Sequence, residues 1–225
     1  MNIEDLERVC KIMHDRYLLD VGDVALDYSD AMIDLSDAYA EEGRLDEAVE
    51  LLEYALSMTS DKYEEDSSLW ANPHTTTLGN LAYYYKEVDR NEDAMALEEK
   101  SLKIREELFQ QDAKEWTESY TTTINNLAMS YHNVGRSEEA IDLYKKGVLI
   151  LDELYDSYES LIPVYLSLMI NLSSTYDDGA RYSESVEVYE KCFPTVEKLY
   201  NKDPYEWERY YDIIGKRLSI AKSKI

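Results

Sequence analysis

The feature that most constrains this chain is a repeat of about 46 residues. Four segments begin with Leu, continue with a small residue and reach Tyr four positions after the Leu. They are Leu35–Tyr39, Leu81–Tyr85, Leu127–Tyr131 and Leu172–Tyr176, and successive segments lie 46, 46 and 45 residues apart. A small residue stands thirteen positions after each Leu, at Ala48, Ala94, Ala140 and Ser185. Self-similarity at one period is typical of repeat proteins, in which each unit buries its apolar face against the next.

Three further series of residues keep the same step. The first is aromatic throughout: Tyr17, Tyr63, Phe109, Tyr155 and Tyr200. The second is Trp70, Trp116, Leu161 and Trp207. The third is Tyr28, His74, Tyr120, Tyr165 and Tyr211. Agreement among independent series makes chance a poor explanation of the repeat.

Each unit is predicted to be a pair of helices. In the first helix, Met32, Leu35, Ser36 and Tyr39 follow the i, i+3, i+4, i+7 spacing of one helical face. The second helices are predicted to start near Leu45, Glu92, Glu138 and Ser183. Gly43 and Gly135 stand between the two helices, where a residue without Cβ can end the first helix in a left-handed conformation.

This order of residues resembles the tetratricopeptide repeat, whose pattern is Trp-x2-Leu-Gly-x2-Tyr, then Ala-x3-Phe, then Pro. The segment Thr123–Ala128, followed by Gly135–Ala140, is similar to the longer repeats of kinesin light chains and their bacterial relatives. The residues in place of the Pro are Ser60, Glu106, Asp152 and Glu197. Because no Pro stops the second helix, we expect it to run on to the aromatic series, which accounts for a period longer than the usual length of about 34.

The resemblance implies an all-α fold, a right-handed superhelical solenoid of antiparallel helix pairs with a period of about 46 residues. We expect a single solenoid over residues 1–225. Its predicted parts are an N-terminal half-repeat or cap helix at 3–20, repeats at 24–66, 72–112, 117–157 and 162–202, and a C-terminal half-repeat or cap helix at 206–225.

The face of each first helix that points away from this packing is the candidate binding site. By the 100° step of a helix, it holds the positions five and one before the Leu and two and six after it. These positions are Asp30, Asp34, Asp37, Glu41, Thr76, Asn80, Tyr83, Glu87, Thr122, Asn126, Met129, Asn133, Ser167, Asn171, Ser174 and Asp178. His132 lies beside them. In the family that the chain resembles, this face lines the concave groove of the superhelix.

An asparagine recurs at one position of this face, as Asn80, Asn126 and Asn171. A row of side-chain amides suits an extended peptide backbone, because each amide donates and accepts hydrogen bonds at once. The alternative is that these amides bond to neighbouring helices or to water.

A stripe of four carboxylates occupies the same face of the first repeat, at Asp30, Asp34, Asp37 and Glu41. It either attracts a Lys or Arg of a partner or is only a solvated surface. None of the sixteen face positions is Lys or Arg, so a clamp for a C-terminal carboxylate is not expected.

Charge and motifs exclude several classes of function. The net charge of −25 disfavours binding to nucleic acid and to anionic membranes. Cys10 and Cys192 lack metal-ligand spacing, and no two of His14, His74 and His132 stand four residues apart. His74 takes a Tyr position and is expected to pack, not to bind a ligand. The sequence contains no catalytic motif, so no enzyme activity, metal or cofactor is expected. The chain starts with acidic residues and has no long apolar run, which favours a cytoplasmic protein.

The function predicted from the sequence is a non-catalytic scaffold that holds an extended protein or peptide segment, with Lys or Arg expected in it, in the concave groove. Two alternatives stay open. The chain is a peptide-sensing regulatory module of a larger bacterial protein, or it is a structural element that self-associates through its end helices.

Overall fold

A computed structural model describes residues 2–19, 24–154 and 158–225, and these ranges are almost entirely helical, with no β-strand. The helices are α1 Ile3–Leu18, α2 Ala25–Glu41, α3 Leu45–Glu65, α4 Ser67–Glu87, α5 Asn91–Gln111, α6 Ala113–Asn133, α7 Ser137–Asp152, α8 Ile162–Asp178, α9 Tyr182–Lys202 and α10 Pro204–Lys222. A 3-10 turn, Glu159–Leu161, precedes α8. The predicted all-α fold is confirmed.

The helices form two compact units, Met1–Glu107 and Leu108–Ile225, and the boundary falls inside α5. In the first unit, α2 packs between α1 and α3, and α3 packs on α4. In the second unit, helices adjacent in sequence from α6 to α10 pack on one another. The first helices of successive repeats also touch, α2 with α4 in one unit and α6 with α8 in the other. Each unit is therefore a stack of helix pairs.

The second helices start at Leu45, Asn91, Ser137 and Tyr182, within one residue of their predicted starts. Two turns between paired helices are closed by Gly43 (φ 77°) and Gly135 (φ 82°), in the left-handed conformation that was predicted. Asp89 (φ 60°) and Ala180 (φ 54°) take the same conformation in the other two turns. The turn geometry is thus kept even where the sequence does not supply glycine.

The first helices α4 and α6 begin several residues before the predicted repeat starts at 72 and 117, because an aspartate caps each of them. Asp66 has extended backbone angles (φ −147°, ψ 90°), and its carboxylate accepts the N–H groups of Ser68 and Leu69 at 3.1 and 3.2 Å. Asp112 and Asp203 cap α6 and α10 in the same way. Such a cap contributes about 1 kcal/mol and marks the helix start.

The junction before α8 departs from this pattern. The residue equivalent to Asp66 and Asp112 is Tyr158, whose side chain makes no capping hydrogen bond. There α7 ends at Asp152 after 16 residues, whereas α3, α5 and α9 each have 21. The α-helical part of α8 begins only at Ile162, followed by Pro163 in its first turn. The loss of one capping carboxylate therefore accompanies a local change of architecture.

The core is built from the positions that define the repeat. The Leu of each repeat and the small residue after it are buried, and so are Ala48, Ala94, Ala140 and Ser185. Two of the aromatic series pair with each other across the junctions, with ring centroids 5.2 Å apart for Tyr63 and His74, 5.0 Å for Phe109 and Tyr120, and 4.4 Å for Tyr200 and Tyr211. The second helices α3, α5 and α9 therefore reach the aromatic series, as predicted, whereas α7 ends at Asp152. Tyr155 lies outside the described residues.

The tight contact at the small position can be tested by enlarging it. Ala94 is fully buried against the cluster that holds Leu81 and Ala82, so Ala94→Leu is expected to lower the free energy of unfolding by about 1–3 kcal/mol through overpacking. Ala96, two residues further along α5, is exposed and provides the control. Urea denaturation of both variants measures the effect, and equal stability of the two would contradict this helix pairing.

Candidate binding face of the first helices

None of the seventeen side chains that the sequence assigned to the binding site is buried. In the first unit they lie on α2 and α4, and in the second unit on α6 and α8. The most exposed apolar members are Tyr83, with 54% of its surface exposed, and Met129, with 40%. The helical step thus selects a solvent-facing surface in each unit, which we call the first-helix face.

The acidic stripe on α2 lacks counter-charges. Within the described residues, no Lys or Arg forms an ion pair with Asp30, Asp34, Asp37 or Glu41, although many other carboxylates of the chain have such partners. Burial raises the pKa of Asp30, and the charges of Asp34 and Asp27 raise it further. Such crowding of like charges costs free energy, and a bound cation would relieve it.

One carboxylate of this stripe is held in place by a tyrosine of the next repeat. The hydroxyl of Tyr84 donates to Oδ1 of Asp37 at 2.6 Å. Burial raises the pKa of Tyr84, and this hydrogen bond raises it further, so the phenol stays protonated and keeps donating. The exposed ring of Tyr83 stands edge-on to that of Tyr84, with ring centroids 5.1 Å apart. An oriented carboxylate and an exposed aromatic ring therefore lie close together on this face.

The two asparagines of the row that lie in the second unit, Asn126 and Asn171, differ in their hydrogen bonding. The amide Nδ2 of Asn171 donates to Oδ1 of Asn125 at 2.9 Å, which links α8 to α6. Asn126 is exposed, and no hydrogen bond joins its side chain to another residue in the described part of the chain. Asn171 thus behaves as the alternative interpretation expected, while Asn126 keeps its amide available. Asn125 was missed because it stands one position outside the predicted face.

Other members of the predicted site also hold neighbouring first helices together. Nε2 of His132 lies 3.0 Å from Oδ2 of Asp178, between α6 and α8. A guanidinium N–H of Arg217 on α10 donates to the hydroxyl of Ser174. Part of the first-helix face is therefore an interface between repeats. Only the side chains of this face that make no contact with a neighbouring repeat are free to bind a partner.

A recurring contact between Tyr and Arg side chains was not predicted from the sequence. At each turn between paired helices, an Arg lies over the ring of the Tyr near the end of the first helix, with the guanidinium carbon 3.8–4.6 Å from the ring centre. We call these pairs the arginine clips: Tyr39–Arg44, Tyr85–Arg90, Tyr131–Arg136 and Tyr176–Arg181. The signal was present, since the four arginines follow the 46, 46 and 45 residue steps.

Each clip also engages carboxylates. Every clip arginine pairs with the acidic residue three positions later. Arg90 in addition binds Glu53 of the preceding second helix at 2.9 Å, and Arg181 binds Glu138 at 3.0 Å. The four clip arginines thus form ion pairs that stabilise the fold, and none of them pairs with the acidic stripe on α2.

The remaining candidate chemistry is sparse. Among the residues that the structure describes, no group of three or more His, Cys, Asp or Glu side chains is placed to hold a metal ion. Both thiols are buried, and burial raises the pKa of Cys192 to about 12. In the same ranges no helix combines the length and the apolar character needed to cross a membrane.

Comparison with known proteins decides the family. Models described as tetratricopeptide repeat match residues 29–62, 75–112, 121–154 and 166–193, which together make up more than half of the chain. The chain belongs to the tetratricopeptide repeat (TPR) family. A search of curated protein sequences gives no significant match.

Solved TPR structures share the fold. The kinesin light chain TPR-like repeats of Podosopora anserina are 23% identical, with a TM-score of 0.64 over 84% of this chain and 82% of that chain. BtubC (BKLC) from P. vanneervenii is 18% identical, with a TM-score of 0.72 over 100% of this chain and 87% of that chain. RapI in its apo form is 15% identical, with a TM-score of 0.66 over 87% of this chain and 50% of that chain. The predicted likeness to kinesin light chain repeats is confirmed, and TPR membership supports a protein-interaction scaffold.

Proposed function

We propose that this TPR protein is a non-catalytic scaffold that binds an extended segment of a partner protein, with Lys or Arg side chains in that segment. The observation that carries the proposal is the acidic stripe of α2, four carboxylates without counter-charges on an exposed face of a family that binds through extended surfaces. The four clip arginines pair with other carboxylates, so none of them neutralises the stripe.

The first unit offers a cation three kinds of contact. Asp37 presents a carboxylate that Tyr84 holds in place, Asp34 and Glu41 add charge one turn away on either side, and Tyr83 exposes an aromatic face. A Lys or Arg near such a ring gains about 0.5–1 kcal/mol at an exposed site. An exposed ion pair contributes about 0–1 kcal/mol, so several contacts must act together. This favours a segment with more than one basic residue.

The second unit offers an uncharged surface for the backbone of a bound segment. Asn126 has a free amide, and Met129 beside it is exposed and flexible. An asparagine amide matches a peptide group, because it can accept from the N–H and donate to the carbonyl. Each such bond contributes about 0.5–1.5 kcal/mol net. These contacts would add affinity with little preference for sequence.

The experiment is a selection from a random peptide library displayed on phage, with the protein and a groove variant as separate baits. The groove variant carries Asp30→Asn, Asp34→Asn, Asp37→Asn and Glu41→Gln. The protein is expected to enrich peptides rich in Lys and Arg, and the groove variant is expected to bind the selected peptides about tenfold more weakly, a loss of about 1.4 kcal/mol. Added salt should weaken binding to the protein, because exposed charges are screened.

The matched control removes four carboxylates from the exposed surface of α3 in the same unit. It carries Asp46→Asn, Glu50→Gln, Asp61→Asn and Glu64→Gln, and none of these residues takes part in a clip. Because the net charge changes equally in both variants, a loss confined to the groove variant supports a site on α2. Equal losses in the two would mean that the acidity of the whole surface attracts the peptides, and the proposed site would be abandoned.

A further inference from the structure

A small cavity opens on the first-helix face of the second unit, between α6 and α8. Its volume is about 160 Å³, and it is lined by Thr122, Asn125, Pro163, Val164 and Ser167. We call it the α6–α8 notch. Two of its five lining residues, Thr122 and Ser167, belong to the binding face predicted from helical periodicity. The cavity found in the structure thus lies where helical periodicity predicts a binding face.

The notch follows from the irregular start of α8. Helices α4 and α6 begin directly after their capping aspartates, whereas Tyr158 takes that place before α8. A 3-10 turn then precedes α8, so Pro163 and Val164 form the first turn of the helix. Proline suits this position because the missing N–H needs no partner in a first turn. Pro163 and Val164 thereby become part of the lining of the notch.

The polar groups that line the notch are largely satisfied within the protein. The hydroxyl of Ser167 donates to the carbonyl of Pro163 at 2.8 Å. Oδ1 of Asn125 accepts from Asn171, and Nδ2 of Asn125 faces the sulfur of Met129 at 3.8 Å. An occupant therefore gains little by offering hydrogen bonds to the walls, and its contact is with carbon atoms of the proline, the valine and the side chains around them.

Charge excludes most other occupants. All five lining residues are uncharged in a chain with 48 acidic and 23 basic residues. A Lys, Arg, Asp or Glu side chain placed here would lose part of its hydration without meeting an opposite charge among the lining residues, which is unfavourable. An aliphatic side chain gains by the same transfer, at about 0.8 kcal/mol for each buried CH₂ group. The notch is open to solvent, and its volume of about 160 Å³ leaves room for one side chain and not for a larger group.

We infer that the α6–α8 notch is a specificity subsite that receives one uncharged aliphatic side chain, of the size of Val or Leu, from the bound segment. This inference rests on the proposed function, since the side chain belongs to the segment that lies along the first-helix face. Asn126, the residue next to Asn125, holds the backbone of that segment beside the notch.

The subsite can be tested without the partner, using small capped amino acids as probes. The probe is N-acetyl-leucine methylamide, and N-acetyl-glycine methylamide and N-acetyl-lysine methylamide are its controls. Methyl NMR spectra of the full chain are recorded during titration with each probe. The leucine probe is expected to shift the methyl signals of Val164 and Thr122 saturably, while the glycine and lysine probes leave them unchanged. Absence of a saturable shift, or equal shifts with all three probes, overturns the subsite.

A filled-cavity variant supplies the second test. Ser167→Leu places a side chain inside the notch and is expected to weaken the leucine probe at least about tenfold, since no room remains. Thr76→Leu changes the equivalent position of α4 and should leave the probe response of the second unit intact. An undiminished response in Ser167→Leu also overturns the subsite.

The phage selection separates this inference from the proposed function. With Ser167→Leu as bait, aliphatic residues should lose their enrichment among the selected peptides, while Lys and Arg stay enriched. If the aliphatic enrichment persists, the subsite is wrong while the proposed function stands. If the probe binds the notch but the protein selects no basic peptides, the proposed function fails, and the notch remains a binding pocket without that segment.

Discussion

Lys86→Met is expected to lower the free energy of unfolding by about 2–4 kcal/mol. Nζ of Lys86 lies 2.8 Å from Oε1 of Glu98, whose side chain is only 5% exposed. Oε2 of Glu98 has no hydrogen-bond partner in the described ranges, so the lysine is the chief compensation for this buried carboxylate. Removing one partner of a buried pair leaves an uncompensated charge, which costs about 3–5 kcal/mol in a fully buried site. The partial exposure of Lys86 lowers this expectation.

The double variant Lys86→Met with Glu98→Leu is the control, and it is expected to recover stability to within about 1 kcal/mol of the parent. Leu52 already occupies the position equivalent to Glu98 one repeat earlier and is fully buried there. The equivalent position of the preceding second helix, α3, therefore accommodates a buried leucine. Urea denaturation near neutral pH measures both variants. A single variant as stable as the parent would show that Glu98 reaches water, and the buried pair would then be of no consequence.

The second large effect is the dependence of stability on pH through His74. Burial, together with the charge of Lys100, lowers the pKa of His74 from the ordinary value of 6.5 to about 4. His74 stacks on Tyr63, and its Nδ1 lies 3.3 Å from the hydroxyl of Thr59. The folded chain thus prefers the neutral ring, while the unfolded chain binds a proton more readily between these two pH values. The contribution is complete above pH 6.5 and is lost as the pH falls towards 4.

The expected loss over this window is up to about 3 kcal/mol, since one pKa unit corresponds to about 1.36 kcal/mol. His74→Tyr is the matched variant, because tyrosine occupies the equivalent positions of other repeats, at Tyr28, Tyr120 and Tyr165. Carboxylates also titrate at low pH, so the quantity to measure is the difference in unfolding free energy between parent and variant at each pH. If the two curves run parallel from pH 7 to 4, His74 does not titrate as its burial requires.

The fold could be predicted from the sequence because it depends on features that repeat within single helices. Leu81 and Ala94 fall on buried faces by helical spacing alone, and Gly43 marks a turn by its lack of Cβ. The second repeat was predicted to start at residue 72, whereas α4 starts at Ser67, and the cause of this difference is equally local. Asp66 was not recognised as a cap, although an aspartate before a helix is a common start signal.

The site could be predicted only in part, since helical spacing describes one helix at a time. It found that Asn126 and Tyr83 are exposed, but it could not tell which exposed side chains meet the next repeat. The bonds from Asn171 to Asn125 and from Tyr84 to Asp37 join residues 46 and 47 positions apart and depend on how helices are stacked. The notch depends likewise on where α8 begins relative to α6, which no spacing in one helix records.

The arginine clips have a consequence for how each unit unfolds. Arg90 ties the turn of its own repeat to Glu53 of the preceding repeat, and Arg181 does the same with Glu138. In a stacked array, stability is a sum of intrinsic repeat terms and nearest-neighbour coupling terms, and such ties strengthen the coupling. Strong coupling makes partly unfolded intermediates rare, since a repeat that melts also loosens its neighbour. The clips therefore act as a source of cooperativity, and because they are ionic and partly exposed, that cooperativity weakens as ionic strength rises.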